Sequence, residues 1–142
     1  EALVKAIPAG ACTLAYNMSF ERGRLKELAE AFPDLSGHLM AIRDGMRDLM
    51  VPFQKGWLYR PAMGSSYSIK AVLPAFFPDD PELDYHALDG VHNGSEAASA
   101  FLALEGMPLE DRMRTRESLL RYCELDTYAM VKVLDAVIEA AA

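Results

Sequence analysis

From Leu109 to Ala140 the sequence runs without a glycine or a proline, directly after Gly106 and Pro108. A stretch of that kind reads as one long helix of about 48 Å, bent near Glu124 to Asp126 if it bends at all. Any fold for this chain must lay its other elements along that rod. The helix reads as a core element, with Leu119, Cys123, Met130 and Leu134 forming an apolar stripe. Against that stripe stands a tyrosine–aspartate pair, Tyr122 and Asp126, four apart and therefore on one face. A carboxylate beside an apolar stripe is either solvated at its edge or held there for chemistry.

The rest of the chain is punctuated more densely. "EALVKAI" reads as a helix stopped by Pro8 and Gly10. "ACTLAY" reads as a short buried strand. Asn17 and Ser19 are cap candidates for a helix over "FERGRLKELAEAF", with Phe20, Leu25, Leu28 and Phe32 on its apolar side. Pro33 ends that helix, and Asp34 or Ser36 can cap the next, "LSGHLMAIRDGM". "RDLMVPF" reads as a second short strand that Pro52 confines to an edge or an end. Asp48 within it reads as a cap or ion-pair partner. Residues 54–67 form an aromatic loop with Trp57, Tyr59, Arg60 and Tyr67, suited either to packing on the core or to stacking single-stranded bases. "SIKAVLPAFF" is a helix that Pro74 shortens, and a further helix spans about Ser95 to Leu104.

Length and patterning imply one domain over residues 1–142, mostly helical with one or two strands. No apolar run is long enough to span a bilayer, and no secretory signal opens the chain. Cys12 and Cys123 lack metal or disulfide spacing and read as small buried hydrophobes in a reducing compartment. The expectation is a soluble cytoplasmic protein with no membrane partner. A net charge of −7 argues against coating nucleic acid through bulk charge. It leaves room for a local site in which cations meet phosphate. His92 and Glu96, four apart, are a weak metal pair and read better as surface groups. His38 and His86 read as solvent-exposed.

Two segments carry a resemblance. "YNMSFE" (16–21) resembles the second motif of the DEDD, DnaQ-like exonucleases, an Asn and a Phe before an acid that follows a strand. "YCELDT" (122–127) resembles their third motif in its Tyr-x-x-x-Asp form on the last helix. "RDLMVPF", "SYSIKAVLPAFF" and "GSEAASAFLALEG" fall in the order that superfamily has. More closely, the chain is similar to a bacterial ribonuclease H-like domain group found beside RecB/Cas4-type nuclease modules.

The resemblance implies an α/β, helix-rich fold, an incomplete ribonuclease H-like fold lacking its first three strands. It implies 3′–5′ exonuclease hydrolysis of nucleic acid, single-stranded for preference, with two divalent cations, Mg²⁺ or Mn²⁺, clamping the scissile phosphate. Asp126 would ligate one cation and Tyr122 would orient the attacking water. Glu21 would serve the second cation, and Asn17 and Phe20 would shape the substrate site. The superfamily uses four acids, of which this sequence offers two, with Glu21 where aspartate is usual. The opening Asp-x-Glu motif falls outside residues 1–142, which implies a C-terminal portion without appreciable nuclease activity. The alternative is a noncatalytic ribonuclease H-like module that binds nucleic acid or a partner nuclease. A strand edge left open by the missing strands would favour self-association into a homo-oligomer.

Overall fold

The computed structural model describes residues 1–85 and 88–142; His86, whose exposure the sequence suggests, lies outside them. The chain forms two compact units, Glu1–Tyr59 with Tyr67–Ile69, and Arg60–Ser66 with Lys70–Ala142. Both are helix-rich, and the described strands lie in the first.

Unit 1 runs α1 (Ala2–Ala6), β1 (Leu14–Ala15), α2 (Ser19–Ala31), α3 (Ser36–Gly45), β2 (Arg47–Asp48) and α4 (Val51–Gln54). The strands pair in parallel, Leu14 opposite Arg47 and Ala15 opposite Asp48. A parallel pair needs a crossover of a dozen residues or more, and here α2 and α3 supply it. Two-residue strands contribute little cohesion by themselves. The unit is held instead by a core of Ala15, Leu25, Ala29, Leu39, Ile42 and Met46, against which Val4, Ile7 and Met18 pack. Burying a side chain such as Ile42 contributes about 1.5–3 kcal/mol. Gly45 closes α3 because a side chain there would meet the Ala11 carbonyl at 2.8 Å. The end of α3 thereby comes close to the chain entering β1.

Several local expectations are revised in this unit. The strand expected over "RDLMVPF" stops after Asp48, because Pro52 fits the first turn of a helix and α4 starts at Val51. The apolar side of α2 turns in through Leu25 and Ala29, while Phe20, Leu28 and Phe32 are exposed. The N-cap positions of α2 and α3 fall on Met18 and Leu35, neither with a side-chain cap. Cys12 is exposed, since it precedes the strand and lies outside the core. His38 is partly buried, its Nε2 2.7 Å from the Ile7 carbonyl, which ties α3 to the end of α1.

Unit 2 contains α5 (Ile69–Phe76, its first residue counted with unit 1), α6 (Gly94–Ala103) and α7 (Leu109–Ala141). Pro74 sits inside α5, which ends two residues later. The long C-terminal helix is one continuous element of 33 residues, with no break at Glu124 to Asp126. Its buried stripe is Leu125, Ala129, Val133 and Ala136. The expected stripe through Leu119, Cys123, Met130 and Leu134 is therefore rotated; Cys123 is exposed and the others are half-buried. Tyr122 and Asp126, also half-buried, flank the true stripe. No helix among the described residues is long and apolar enough to cross a membrane.

Candidate functional site

In unit 1 the residues singled out from the sequence cluster where β1 leads into α2. Open α/β sheets place their sites at such carboxyl ends of strands. Asn17 adopts a left-handed backbone, φ 63°, which asparagine tolerates better than most residues. That turn aims consecutive amides at one carboxylate. The Asn17 N–H donates to Asp48 Oδ1 at 2.9 Å and the Met18 N–H to Oδ2 at 3.0 Å. The Met50 N–H also donates to Asp48 Oδ1, at 2.9 Å. Asp48 thus ties the turn that leads into α2 and the residue that precedes α4 to the end of β2. The side chain of Asn17 accepts from the Ser19 hydroxyl. Glu21 is half-buried in the first turn of α2. Phe20 is 68 % exposed, with the Arg24 guanidinium 5.4 Å from its ring centroid.

Beside this junction lies a shallow cleft of about 360 Å³, lined by Met18, Ser19, Arg22, Lys26, Arg43 and Asp48. Arg22 and Lys26 share a face of α2 one turn apart. Arg43 joins them from the last turn of α3. Their ion pairs are with surface carboxylates: Arg22 and Arg43 with Asp44, Lys26 with Glu30. Arg22 and Arg43 are themselves only partly exposed, whereas Asp44 and the Lys26–Glu30 pair face solvent; pairs open to water are weak, about 0–1 kcal/mol, so a phosphate competes for these cations. Of the chain's 14 Lys/Arg and 21 Asp/Glu, seven of each fall in unit 1, leaving seven against fourteen in unit 2. The net charge of −7 therefore belongs to unit 2, and unit 1 is neutral overall.

Tyr16 closes the other side of the junction. Its ring lies 6.4 Å from that of Phe53, and its hydroxyl donates to the Tyr67 carbonyl at 2.6 Å. Burial, and then the nearby Asp48 charge, push its pKa well above the ordinary tyrosine range.

Unit 2 assembles a different cluster around Asp126. Tyr85 donates its hydroxyl to Asp126 Oδ1 at 2.9 Å. The Tyr85 and Tyr122 rings stand 6.3 Å apart, tilted by 58°. Burial raises the pKa of Tyr85 far above its usual value, reinforced by the Asp126 charge and hydrogen bond. Tyr122 is raised too, by burial first and Asp126 second. Lys70 Nζ sits 5.6 Å from the Tyr85 ring centroid and donates to the His92 carbonyl. His92 Nδ1 lies 3.2 Å from Glu96 Oε2. Glu96 accepts from the His92 N–H at 2.8 Å and from Asn93 Nδ2, while Asn93 caps α6 through the Glu96 N–H. The His92 N–H is the chief cause of a lowered Glu96 pKa.

A pair of divalent cations demands several converging carboxylate oxygens. Among the described residues no group of three His, Cys, Asp or Glu converges in that way. Asp126 has tyrosines for near neighbours, and the Asp48 oxygens are occupied by three amides. The donor set of the described residues does not fit a two-cation centre.

Tyr85 escapes a reading of the sequence, since it lies 41 residues from Asp126 in an acid-rich connection with no motif around it. The basic cleft is half visible there: Arg22 and Lys26 show helical spacing, whereas Arg43 joins only through the α2–α3 pairing.

These features define a helix-rich α/β protein with a parallel strand pair and a basic cleft at its carboxyl end. A family model described as a domain of unknown function (DUF2779) matches residues 1–68. The matched span holds the β1–α2 junction, the cleft and the aromatic loop, and excludes Tyr122 and Asp126. Neither the curated proteins nor the solved structures give a match.

Proposed function

We propose that the chain is a nucleic-acid-binding module of ribonuclease H-like, DEDD-type ancestry, whose residues described here stop short of a hydrolytic centre. The observation that carries this reading is the cleft lined by Arg22, Lys26 and Arg43 at the carboxyl end of the strand pair. Three cations around a shallow opening suit a phosphodiester backbone, which presents negative charge at regular spacing. The neutrality of unit 1 removes the objection raised by the acidity of the whole chain. Cleavage would require acidic ligands beyond those the described residues bring together. In this reading Asp126, with Tyr85 and Tyr122, marks the place on α7 where the superfamily's third motif stands.

The test follows the length of an end-labelled single strand of DNA or RNA incubated with the 142-residue chain and Mn²⁺ or Mg²⁺. The strand is expected to stay full length with the chain and with its Asp126→Ala variant alike. Shortening from one end that disappears in Asp126→Ala would overturn the proposal and make the chain a nuclease.

A second reading, docking to a partner such as a neighbouring nuclease module, is favoured by one observation in unit 2. Phe101 and Leu102 at the end of α6, and Leu109 and Met113 at the start of α7, are all strongly exposed. The chain between them passes through Gly106 and Pro108, so these exposed residues flank the connection between α6 and α7.

A further inference from the structure

The loop after α4 displays rings that a folding chain would ordinarily bury. Trp57 is 75 % exposed, Tyr59 57 % and Tyr67 43 %. The backbone on either side is nonetheless held, at Trp57 and Leu58 before Tyr59 and at Tyr67 after it. The amides of Trp57 and Leu58 both donate to the Pro52 carbonyl, at 2.9 and 3.2 Å, and Gly56 makes the turn at φ 68°. Tyr67 is anchored through its carbonyl by the Tyr16 hydroxyl, and the Tyr16 ring lies against Phe53 of α4. Trp57 is thus tied to α4, which follows β2, and Tyr67 to Tyr16, which follows β1. Lys55, exposed and two residues before Trp57, has no ion-pair partner among the described residues.

We propose that Trp57 and Tyr59 form a stacking platform for the bases of a single-stranded nucleic acid, with Lys55 beside them for its phosphates. The proposal rests on the nucleic-acid reading and adds the strand form and the mode of recognition. Aromatic faces accept any base, because every base offers a π-surface, so the platform tolerates sequence while it rejects stacked duplex. A wholly apolar partner would leave Lys55 and the tyrosine hydroxyl facing an unsuitable surface. An unpaired strand satisfies ring, hydroxyl and ammonium together.

Trp57 is the chain's one tryptophan, so its emission reports on the platform alone. Titrating the folded chain with a single-stranded oligothymidylate is expected to quench that emission by about half, and with a duplex of equal length far less. Tyr59→Ala, an exposed position that leaves thermal unfolding unchanged, is expected to weaken retention of a labelled single strand by about tenfold. Trp57→Ala should do the same, and Trp57→Phe should restore most of the binding. A strand retained at full affinity by Tyr59→Ala, with the emission of the parent chain unchanged, would overturn the platform and leave the cleft standing. No retention at any oligonucleotide concentration would overturn platform and nucleic-acid reading together. Quenching by an apolar peptide in place of the strand would assign the rings to a protein partner and likewise sink the proposal.

Discussion

Asp48→Ala is expected to cost unit 1 about 4 kcal/mol, enough to unfold it at moderate urea. The carboxylate accepts three backbone N–H groups, from Asn17, Met18 and Met50, and in doing so joins the end of β1 to the start of α4. Hydrogen bonds to a charged acceptor contribute about 1.5–3 kcal/mol each, and a donor left without a partner adds its own desolvation penalty. Partial exposure reduces the sum, because water replaces some of those bonds. The remainder still approaches the whole stability of a small domain, about 5–15 kcal/mol. Asn17, held at positive φ partly by this bond, would relax toward ordinary backbone. Urea unfolding followed by helical circular dichroism gives the measurement. Asp48→Asn, keeping one acceptor oxygen, should fall between the parent and the alanine variant. A destabilisation below about 1 kcal/mol for Asp48→Ala would show that the junction is held by something else.

The second large effect concerns the rotation of α7. Val133 is fully buried on that helix, whereas Cys123 is exposed. An aspartate at position 133 would bury a charge with no partner, which typically costs more than about 4 kcal/mol. Cys123→Asp places the same group in solvent and should change stability by less than about 0.5 kcal/mol. The contrast between the two variants reads out the helix register directly. Thermal unfolding monitored by helical circular dichroism should show Val133→Asp losing most of its cooperative transition while Cys123→Asp melts with the parent. The reverse order would restore the stripe through Leu119 and Cys123 that periodicity alone suggests.

That stripe shows which features of the fold are legible in the sequence and which are not. Helix positions are readable because proline and glycine punctuate them: Pro8, Pro33, Gly106 and Pro108 each mark an end the structure keeps. Which face turns inward is harder. Over 33 residues a helix offers apolar side chains all round, and four-residue spacing does not separate neighbouring rows. In α2 the large Phe20 and Phe32 outweigh small Ala29 in any pattern, yet it is Ala29, with Leu25, that is buried. Strand length fails for a related reason, since Pro52 suits a helix start as well as a strand end. The expected caps fail because the N-cap positions fall on Met18 and Leu35, whose side chains offer no oxygen acceptor. The Tyr122–Asp126 pair is legible from spacing, but the stripe it flanks, Leu125, Ala129, Val133 and Ala136, is not the one that periodicity suggests. The cluster's third member, Tyr85, is not legible, for long-range pairing leaves no local trace.

Binding of a nucleic-acid strand is the function proposed for this chain. Retention of a labelled single strand by the folded 142-residue chain, measured across a salt series in excess EDTA, tests it most directly. Binding is expected at low salt without any divalent cation, and it should weaken steadily as salt competes with the phosphates for the cleft. Arg22→Glu with Lys26→Glu should weaken it further and lower the salt slope by about one for each phosphate that the cleft no longer engages. A folded chain that retains no strand even at the lowest salt would contradict the proposed function.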